Sequence, residues 1–261
     1  MLYNTDELNS TTMKPKILLF DIETAPAKGW FWGVWETNVI EVEEHGYMLS
    51  WSAKWLDEKR VITRTLADYR GHKANSTNDK KLVQELAELI DTADLVIAHN
   101  GDRFDILTTN TRMLVNGLKP LSPAKTVDTL KVARNKFKFM SNKLDDLANI
   151  LGIGRKLPHT GKNLWFGCMN NDPKSWAIMK KYNEQDVRLL EAVYLKMLPW
   201  ITKHPVLSHE HGLTCSNPTC KSTHLQKRGF QRTETTLKQR YQCQSCGKWT
   251  VGRENLLRKK K

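Results

Sequence analysis

The chain has 261 residues, of which 39% are hydrophobic, and a formal net charge of +13. This length accommodates one domain of about 200 residues together with a smaller unit. No apolar run approaches the roughly 18 residues that a membrane-spanning helix requires, so we expect no membrane partner. The polar segment Met1–Lys14 lacks the apolar core of a signal peptide, and we expect it to be a disordered lead-in of a cytoplasmic protein.

The positive charge is concentrated near the C-terminus. Residues 205–261 carry 12 Lys and Arg against 3 Asp and Glu, whereas residues 1–204 carry 29 against 25. A basic segment of this kind is typical of proteins that bind a polyanion, most often nucleic acid, although a solvated surface is the alternative. Four of the five cysteines lie in the same segment as two close pairs, which in a cytoplasmic chain favours a metal site over disulfides.

The hydrophobic pattern predicts strands first, and then strands alternating with helices, which indicates an α/β domain with a mixed sheet. Asp172-Pro173 fits a helix N-cap followed by proline at the first helical position. We expect Trp30, Trp32 and Trp35 to pack in the core or at its rim, with base stacking as the alternative. Strands are predicted at residues 16–20, 47–55, 61–66, 94–98 and 126–129, and helices at residues 79–91, 104–114, 142–151 and 172–198.

A pair of carboxylates follows the first predicted strand, in the stretch Asp21-Ile22-Glu23-Thr24. Side chains alternate along a strand, so Asp21 and Glu23 point to the same face, where they repel each other. A divalent cation removes that repulsion, and carboxylate oxygens suit Mg²⁺ or Mn²⁺. A strand end that runs into a polar loop is the alternative.

Further candidates follow later in the chain. Asp105 begins a predicted helix after the strand at residues 94–98, at the sheet edge where active sites of open α/β sheets usually lie. An acidic residue at a helix start is also common without a ligand. Tyr182 and Asp186 are four residues apart and share one face of the last helix.

This ordered set resembles the DEDD superfamily of 3′–5′ exonucleases, which have the ribonuclease H-like fold. Asp21 and Glu23 match its first motif, Asp105 within Asn100-x-x-x-Phe104-Asp105 matches the second, and Tyr182-x-x-x-Asp186 matches the third. The last motif is typical of the tyrosine (DEDDy) branch, because the histidine branch has His where residue 181 is Lys. The stretches Ser52-Ala53-Lys54-Trp55, Val127-Asp128-Thr129-Leu130 and Asn142-Lys143-Leu144-Asp145 are also similar to predicted exonucleases of phages and bacteria, which are related to the exonuclease domains of family B polymerases.

The resemblance covers about residues 14–200 and implies hydrolysis of phosphodiester bonds with two Mg²⁺ or Mn²⁺ ions. It implies that Tyr182 orients the attacking water. It also implies metal binding by Asp21, Glu23, Asp105 and Asp186, and contacts to the terminal nucleotide by Thr24, Asn100 and Phe104.

The cysteine pairs predict a second domain at residues 213–252, after a linker at residues 199–212. Four thiolates make a closed tetrahedral site for one structural Zn²⁺, and we expect Cys215, Cys220, Cys243 and Cys246 to supply them. Basic and aromatic residues lie between the pairs, as in the zinc ribbons of nucleic-acid enzymes, which this segment resembles. A protein-docking or purely structural ribbon is the alternative.

Taken together, these features predict a ribonuclease H-like α/β domain with a C-terminal zinc ribbon, in a bacterium or a phage-infected host. The expected activity is 3′–5′ exonuclease action on DNA, with a single-stranded 3′ end as substrate and a polymerase or other replication protein as an optional partner in trans. The alternatives are an exoribonuclease and an inactive nucleic-acid-binding module of a replication or recombination complex.

Overall fold

A computed structural model describes residues 15–122, 125–202, 204–205 and 213–257 of the chain. The chain separates into two compact units, one formed by Lys16–Met197 and another that includes Leu198–Lys261. None of the helices within the described ranges is long and apolar enough to cross a membrane.

The first unit contains seven strands and six α-helices among its described residues. The strands are β1 (Ile17–Thr24), β2 (Lys28–Trp30), β3 (Glu41–Glu44), β4 (Met48–Trp55), β5 (Ile62–Thr65), β6 (Leu95–Ala98) and β7 (Lys125–Asp128). The helices are α1 (Lys80–Asp91), α2 (Asp105–Val115), α3 (Thr129–Lys136), α4 (Leu144–Ile150), α5 (Lys162–Met169) and α6 (Pro173–Met197).

Five of these strands form a mixed sheet in the order β5-β4-β1-β6-β7. β1 is antiparallel to β4 and parallel to β6, so the central strand has partners on both edges. β6 is in turn parallel to β7, and β4 is antiparallel to β5. The mixed sheet with flanking helices confirms the predicted α/β class with a mixed sheet.

The two faces of the sheet differ in polarity because side chains alternate along its central strands. Phe20 and Ile22 of β1 are buried in the core that α1 covers, and Trp51 of β4 donates its indole N–H to the carbonyl of Leu82 at 2.9 Å. On the opposite face Ile17 and Leu19 are also buried, but the part near the end of β1 is polar, and there Ser50 of β4 donates to the side-chain oxygen of Asn183 on α6 at 3.2 Å. The intervening residues of β1, Asp21 and Glu23, therefore lie on the face that α6 covers.

A buried carboxylate joins three elements at one end of the sheet. Asp79, which precedes α1 and is fully buried, accepts from the amide of Met48 at 2.8 Å and from the Arg112 guanidinium at 2.7 and 2.8 Å. Asn116 donates to the same carboxylate at 2.7 Å. A buried charge with this many donors is compensated, so the network fixes α1 and α2 against β4.

Several elements differ from the sequence-based prediction. α3, α5 and the β2–β3 hairpin were not predicted, and β1 continues through Thr24 instead of ending at Phe20. α3 is short and mostly polar, and its start is set by Asp128, whose Oδ1 accepts from the amides of Leu130 and Lys131. Such a helix depends on capping more than on hydrophobic periodicity, so a search for periodicity misses it.

The predicted start of the last helix is confirmed. Pro173 is its first residue, and the Asp172 carboxylate accepts from the amide of Ser175 at 2.9 Å. This is an N-cap bond to the third helical residue, which satisfies one of the free amides of the first turn.

The second unit contains a three-stranded antiparallel sheet of β8 (Leu225–Arg232), β9 (Leu237–Cys243) and β10 (Trp249–Val251), in the order β10-β9-β8. Its main polar anchor is the buried Lys248, which donates to the carbonyls of Leu198 and Ile201 at 2.9 and 2.8 Å. Burial lowers the pKa of Lys248 to about 8.

The predicted lead-in at residues 1–14 lies outside the described residues, as does most of the predicted linker at residues 199–212. Within the described part of that linker, Pro199 and Trp200 form a short 3-10 helix with Leu198. The first residues of the predicted linker are therefore helical.

Candidate functional site

A carboxylate cluster lies between β1 and α6. One carboxylate oxygen from each of Asp21, Glu23 and Asp186 lies within 4.8 Å of the others. The strand alternation supplies the first two, and the face of α6 that packs on β1 supplies the third. The structure therefore brings together residues that are more than 160 positions apart in the chain.

Asp105 lies beside this group, but its carboxylate is not one of those whose oxygens lie within 4.8 Å of one another. Its Oδ1 accepts from the amide of Ile22 at 3.1 Å, and Ile22 stands between Asp21 and Glu23 on β1. Gly101 makes this approach possible, because a Cβ at this position would lie 2.3 Å from the Cβ of Ala98. Only glycine fits the tight turn that brings the start of α2 to β1.

The three residues predicted to contact a nucleotide surround this region. Thr24 ends β1 at an irregularity of the β1–β4 ladder. Asn100 has a left-handed backbone (φ 64°), and its amide donates to Asp128 Oδ1 at 3.0 Å, while Phe104 is 42% exposed immediately before Asp105. No contact in the structure tests their predicted role.

Lys156 is a site residue that the sequence analysis missed. It lies in the segment between α4 and α5, and its Nζ donates to Asp186 Oδ2 at 2.6 Å and to the Tyr182 hydroxyl at 3.1 Å. Asp145 holds its main chain by accepting from the Lys156 amide at 2.7 Å. A lysine in a polar segment without periodicity looks like a solvated surface residue, so the sequence alone offered no signal for it.

Each of the four carboxylates has its own hydrogen-bond donor. Asn183 donates to Asp21 Oδ2 at 2.7 Å, and the Trp165 indole donates to Glu23 Oε2 at 3.2 Å. Lys156 donates to Asp186, and the amide of Ile22 donates to Asp105. These bonds fix one oxygen of each carboxylate and leave the other available for a ligand. Such partners commonly orient metal ligands in proteins.

The cluster raises the pKa of its members. Burial, followed by the charge of Asp186, raises the pKa of Glu23 to about 8, and burial raises the pKa of Asp105 to about 7 against the opposing bond from Ile22. Burial and the neighbouring carboxylates also raise the pKa of Asp21 well above its ordinary value. Without a cation, the site is therefore partly neutralised by protons at neutral pH, and a bound divalent cation would displace those protons.

Tyr182 lies in an aromatic group at the same place. Its ring is edge-to-face with the rings of His159 and Trp165, with centroid distances of 4.8 and 5.9 Å. Burial and the nearby Asp186 raise the pKa of the Tyr182 phenol above its ordinary value. The hydroxyl therefore remains protonated at neutral pH and serves as a hydrogen-bonding group instead of a base.

The residues fit a divalent metal site of hard oxygen ligands. Asp186 Oδ1 is buried and has no hydrogen-bond partner among the described groups, although Oδ2 of the same carboxylate is bound to Lys156. A buried carboxylate oxygen without a partner is costly unless an ion or water satisfies it. Mg²⁺ and Mn²⁺ prefer ligands of this kind.

The four C-terminal cysteines form a second cluster. The Sγ atoms of Cys215, Cys220, Cys243 and Cys246 all lie within 4.8 Å of one another, with Cys215–Cys246 at 3.6 Å and Cys220–Cys243 at 3.8 Å. A tetrahedral Zn²⁺ site with Zn–S bonds of about 2.3 Å requires sulfur separations of about 3.8 Å.

The electrostatics differ among the four cysteines, because burial raises the pKa of the Cys215 and Cys220 thiols. Burial opposes the charged form of Cys243, but amide donors from Cys246 and Ser245 lower the pKa of its thiol to about 6. A thiol with this pKa is ionised at neutral pH and can act as a metal ligand. The described cluster is therefore compatible with the predicted zinc ribbon.

Comparison with known proteins defines the class of this protein. A family model described as the RNase_H superfamily matches residues 18–198, which is more than half of the chain. The protein belongs to the RNase H superfamily, and this membership supports a nuclease, that is, a hydrolase of phosphodiester bonds.

The chain is also similar to parts of two DNA polymerases. It is 30% identical over 139 residues to the DNA polymerase III PolC-type of Ureaplasma parvum serovar 3, a match that covers 49% of this chain and 9% of the polymerase. Its fold is like part of the family B DNA polymerase of Pyrobaculum calidifontis, with a TM-score of 0.53, 17% identity, and coverage of 71% of this chain and 25% of that chain. The chain thus spans only a small part of either polymerase.

Proposed function

We propose that this protein is a metal-dependent 3′–5′ exonuclease that hydrolyses DNA from a single-stranded 3′ end. The observation that carries the proposal is the convergence of Asp21, Glu23 and Asp186 between β1 and α6, with Asp105 adjacent. A binding module would have no need of so many partly neutralised carboxylates in one place.

The four carboxylates would hold two divalent ions, Mg²⁺ or Mn²⁺. When bound, such ions would lower the pKa of an attacking water and offset the charge on the departing 3′ oxygen. Asp21 would be shared between the two positions, because it interacts electrostatically with each of the other carboxylates.

Tyr182 would act on the attacking water, and Lys156 would act through Tyr182 and Asp186. The protonated Tyr182 hydroxyl would orient that water. Lys156 donates to both Tyr182 and Asp186, so it would keep the phenol in place and limit the negative charge of the site while a phosphodiester approaches. Preorganised donors of this kind are a large source of rate enhancement.

The polarity and the DNA preference are supported by the tyrosine-type motif and by the similarity to two DNA polymerases. Thr24, Asn100 and Phe104 would contact the terminal nucleotide, and a ribbon built on one structural Zn²⁺ would help to hold the strand. Residues 213–257 carry eight Lys and Arg against two Glu, which supports phosphate binding. A polymerase or another replication protein acting with this chain in trans is part of the proposal.

The experiment is degradation of a 5′-labelled single-stranded DNA with Mg²⁺ or Mn²⁺, with an RNA oligomer of the same sequence alongside. We expect a ladder that shortens from the 3′ end and is abolished by EDTA. Asp21→Ala should reduce the rate at least about a hundredfold, since metal-assisted charge stabilisation is worth several kcal/mol. Glu88→Gln, at an exposed carboxylate on the outer face of α1, is the matched control and should cleave normally.

Two results would favour the alternatives. Faster cleavage of the RNA oligomer would indicate an exoribonuclease. Tight binding of both oligomers without cleavage by the parent protein would indicate an inactive nucleic-acid-binding module.

A further inference from the structure

The hairpin formed by β2, β3 and the turn between them, residues 28–44, exposes an apolar surface that the proposed function does not use. Trp35 is 95% exposed and Trp32 is 83% exposed. The surface also contains Trp30, Phe31, Val34, Val39, Ile40 and Val42, all of them exposed. A soluble protein rarely leaves so many large apolar side chains together in water without a partner.

This surface is presented by an ordered element. β2 and β3 pair with each other in a separate two-stranded sheet and not with the central sheet. The amide of Ile40 donates to the carbonyl of Trp30 at 2.8 Å, and Lys28 pairs with Glu44 at 3.1 Å. From the sequence we expect Trp30, Trp32 and Trp35 to lie in the core or at its rim, and their exposure shows that this prediction is wrong.

The charge of the hairpin decides which partner it suits. Residues 28–44 contain four glutamates and one lysine, although the chain as a whole has a net charge of +13. Phosphates would be repelled by this local negative charge, so a base-stacking role is disfavoured despite the tryptophans. An acidic rim around aromatic side chains suits a basic protein surface, because Trp is enriched among residues that dominate protein–protein binding.

The same chain carries a surface with the complementary features. β8 is an edge strand of its sheet, and seven of its eight residues are exposed. It contains Lys227, Arg228 and Arg232, and its Phe230 is exposed as well. An exposed edge strand has unpaired backbone groups that can pair with another strand. The three glutamates of β3 match the three cations of β8 in number and opposite sign.

We propose that the hairpin of one copy of this protein docks on β8 of a second copy, and that the reciprocal contact closes a two-fold dimer. A two-fold arrangement uses each surface once per copy and leaves no unpaired hairpin. The contact combines burial of the tryptophans with pairing of opposite charges, so it weakens as salt is added, unlike non-specific hydrophobic association.

The test is a charge-reversal experiment read by sedimentation equilibrium of the full chain. Glu41→Lys with Glu43→Lys makes the hairpin basic, and Lys227→Glu with Arg232→Glu makes β8 acidic. Each double variant alone should be monomeric, because its hairpin and β8 then have the same sign. An equimolar mixture should recover the dimer, because both reciprocal contacts are again between opposite charges.

Trp32→Ser with Trp35→Ser is a second variant, and it should weaken the dimer at least about tenfold at unchanged charge. These substitutions lie at exposed positions, and circular dichroism checks that each variant is folded. A parent protein that is monomeric at all concentrations would overturn the proposal, and so would a mixture that remains monomeric.

One further outcome would show that the hairpin binds nucleic acid instead of a second copy of the protein. If the parent is monomeric and Trp32→Ser with Trp35→Ser weakens binding of single-stranded DNA, the hairpin is a stacking surface and the dimer proposal is wrong. The sedimentation measurement requires no nuclease activity, so it stands or fails independently of the proposed function.

Discussion

The two ligand clusters of this protein are supported in opposite ways. The carboxylates project from β1 and α6, elements held by a large apolar core, and each has its own hydrogen-bond donor. The four cysteines lie in a small unit in which Cys215 and Cys243 are among the few buried residues. The fold of the larger unit positions the carboxylates without a metal. In the smaller unit, metal binding by the cysteines would supply much of the folding free energy.

The largest expected effect follows from this contrast. Removal of the ribbon metal with a strong chelator, or Cys246→Ser, should unfold residues 213–257 and leave the unit at Lys16–Met197 folded. Structural zinc supplies about 10–16 kcal/mol of apparent binding free energy in small domains, which a unit with so little core cannot replace. Hydrogen–deuterium exchange measured segment by segment would follow both units.

Ser245→Ala, beside the same cysteine, is the control and should leave exchange in the ribbon slow. Continued protection of β8 and β9 after the metal is removed would show that the ribbon folds without it.

The next largest effect is expected on the cleavage rate when Lys156, one of the hydrogen-bond donors to the carboxylates, is replaced. Lys156→Met removes the donor to Asp186 and Tyr182 and should lower the cleavage rate about ten- to a hundredfold, the usual range for groups that orient metal ligands. Lys156→Arg keeps the charge and should recover part of the rate. The measurement is the rate of cleavage of a labelled single-stranded DNA at saturating Mg²⁺.

Lys162→Met, at an exposed lysine that begins α5, controls for a general loss of positive charge. Equal losses in Lys156→Met and Lys162→Met would show that Lys156 contributes only to the overall charge.

The sequence predicted the parts of the site that carry a regular spacing. Asp21 and Glu23 follow from alternation along a strand, and Tyr182 and Asp186 from helical periodicity, so their shared faces could be inferred before the structure. Lys156 and Trp165 could not, because they come from irregular or unpredicted segments and their contacts depend on how the chain folds over the sheet. Asn183 lay in a recognised motif, but its bond to Asp21 has no sequence signal.

The secondary-structure elements also divide into those with a regular hydrophobic pattern, which were predicted, and those without one. The strands of the central sheet were predicted within a few residues, because β1 and β6 contain continuous apolar runs and β4 alternates between apolar and polar residues. α5 buries only Leu164 and Cys168, and the β2–β3 hairpin exposes its apolar residues, so neither has the hydrophobic pattern of a packed element. Neither element could therefore be predicted from its local pattern.

A smaller effect concerns the pH dependence of stability when Mg²⁺ is withheld and the ribbon metal is left in place. The pKa of Glu23 is raised from 4.5 to about 8 in the folded protein, so the folded state binds this proton more tightly than the unfolded state does. The associated stability is present below about pH 4.5 and is lost as pH rises towards 8. Thermal unfolding of the larger unit should therefore occur at lower temperature as pH rises from 5 to 8.

Glu23→Gln removes this titration and should reduce the slope, and Mn²⁺ should raise the unfolding temperature of the parent most at the higher pH. In a domain of this size about 2–4 °C corresponds to each kcal/mol. A parent and a Glu23→Gln variant with the same slope would show that the Glu23 carboxylate does not carry a raised pKa.

The smallest expected effect concerns Trp165, which both donates a hydrogen bond to Glu23 and packs against neighbouring aromatic rings. Trp165→Phe keeps an aromatic ring beside His159 and Tyr182 but removes the N–H that donates to Glu23 Oε2. Glu23 should then be less well oriented, and the variant should require up to about tenfold more Mg²⁺ for half-maximal cleavage, with the rate recovering at saturation. Trp176→Phe is the matched control, because the indole N–H of the buried Trp176 has no partner among the described residues, and its Mg²⁺ requirement should not change. If Trp165→Phe and the parent require the same Mg²⁺ concentration, the indole contributes packing alone and the donor at Glu23 is dispensable.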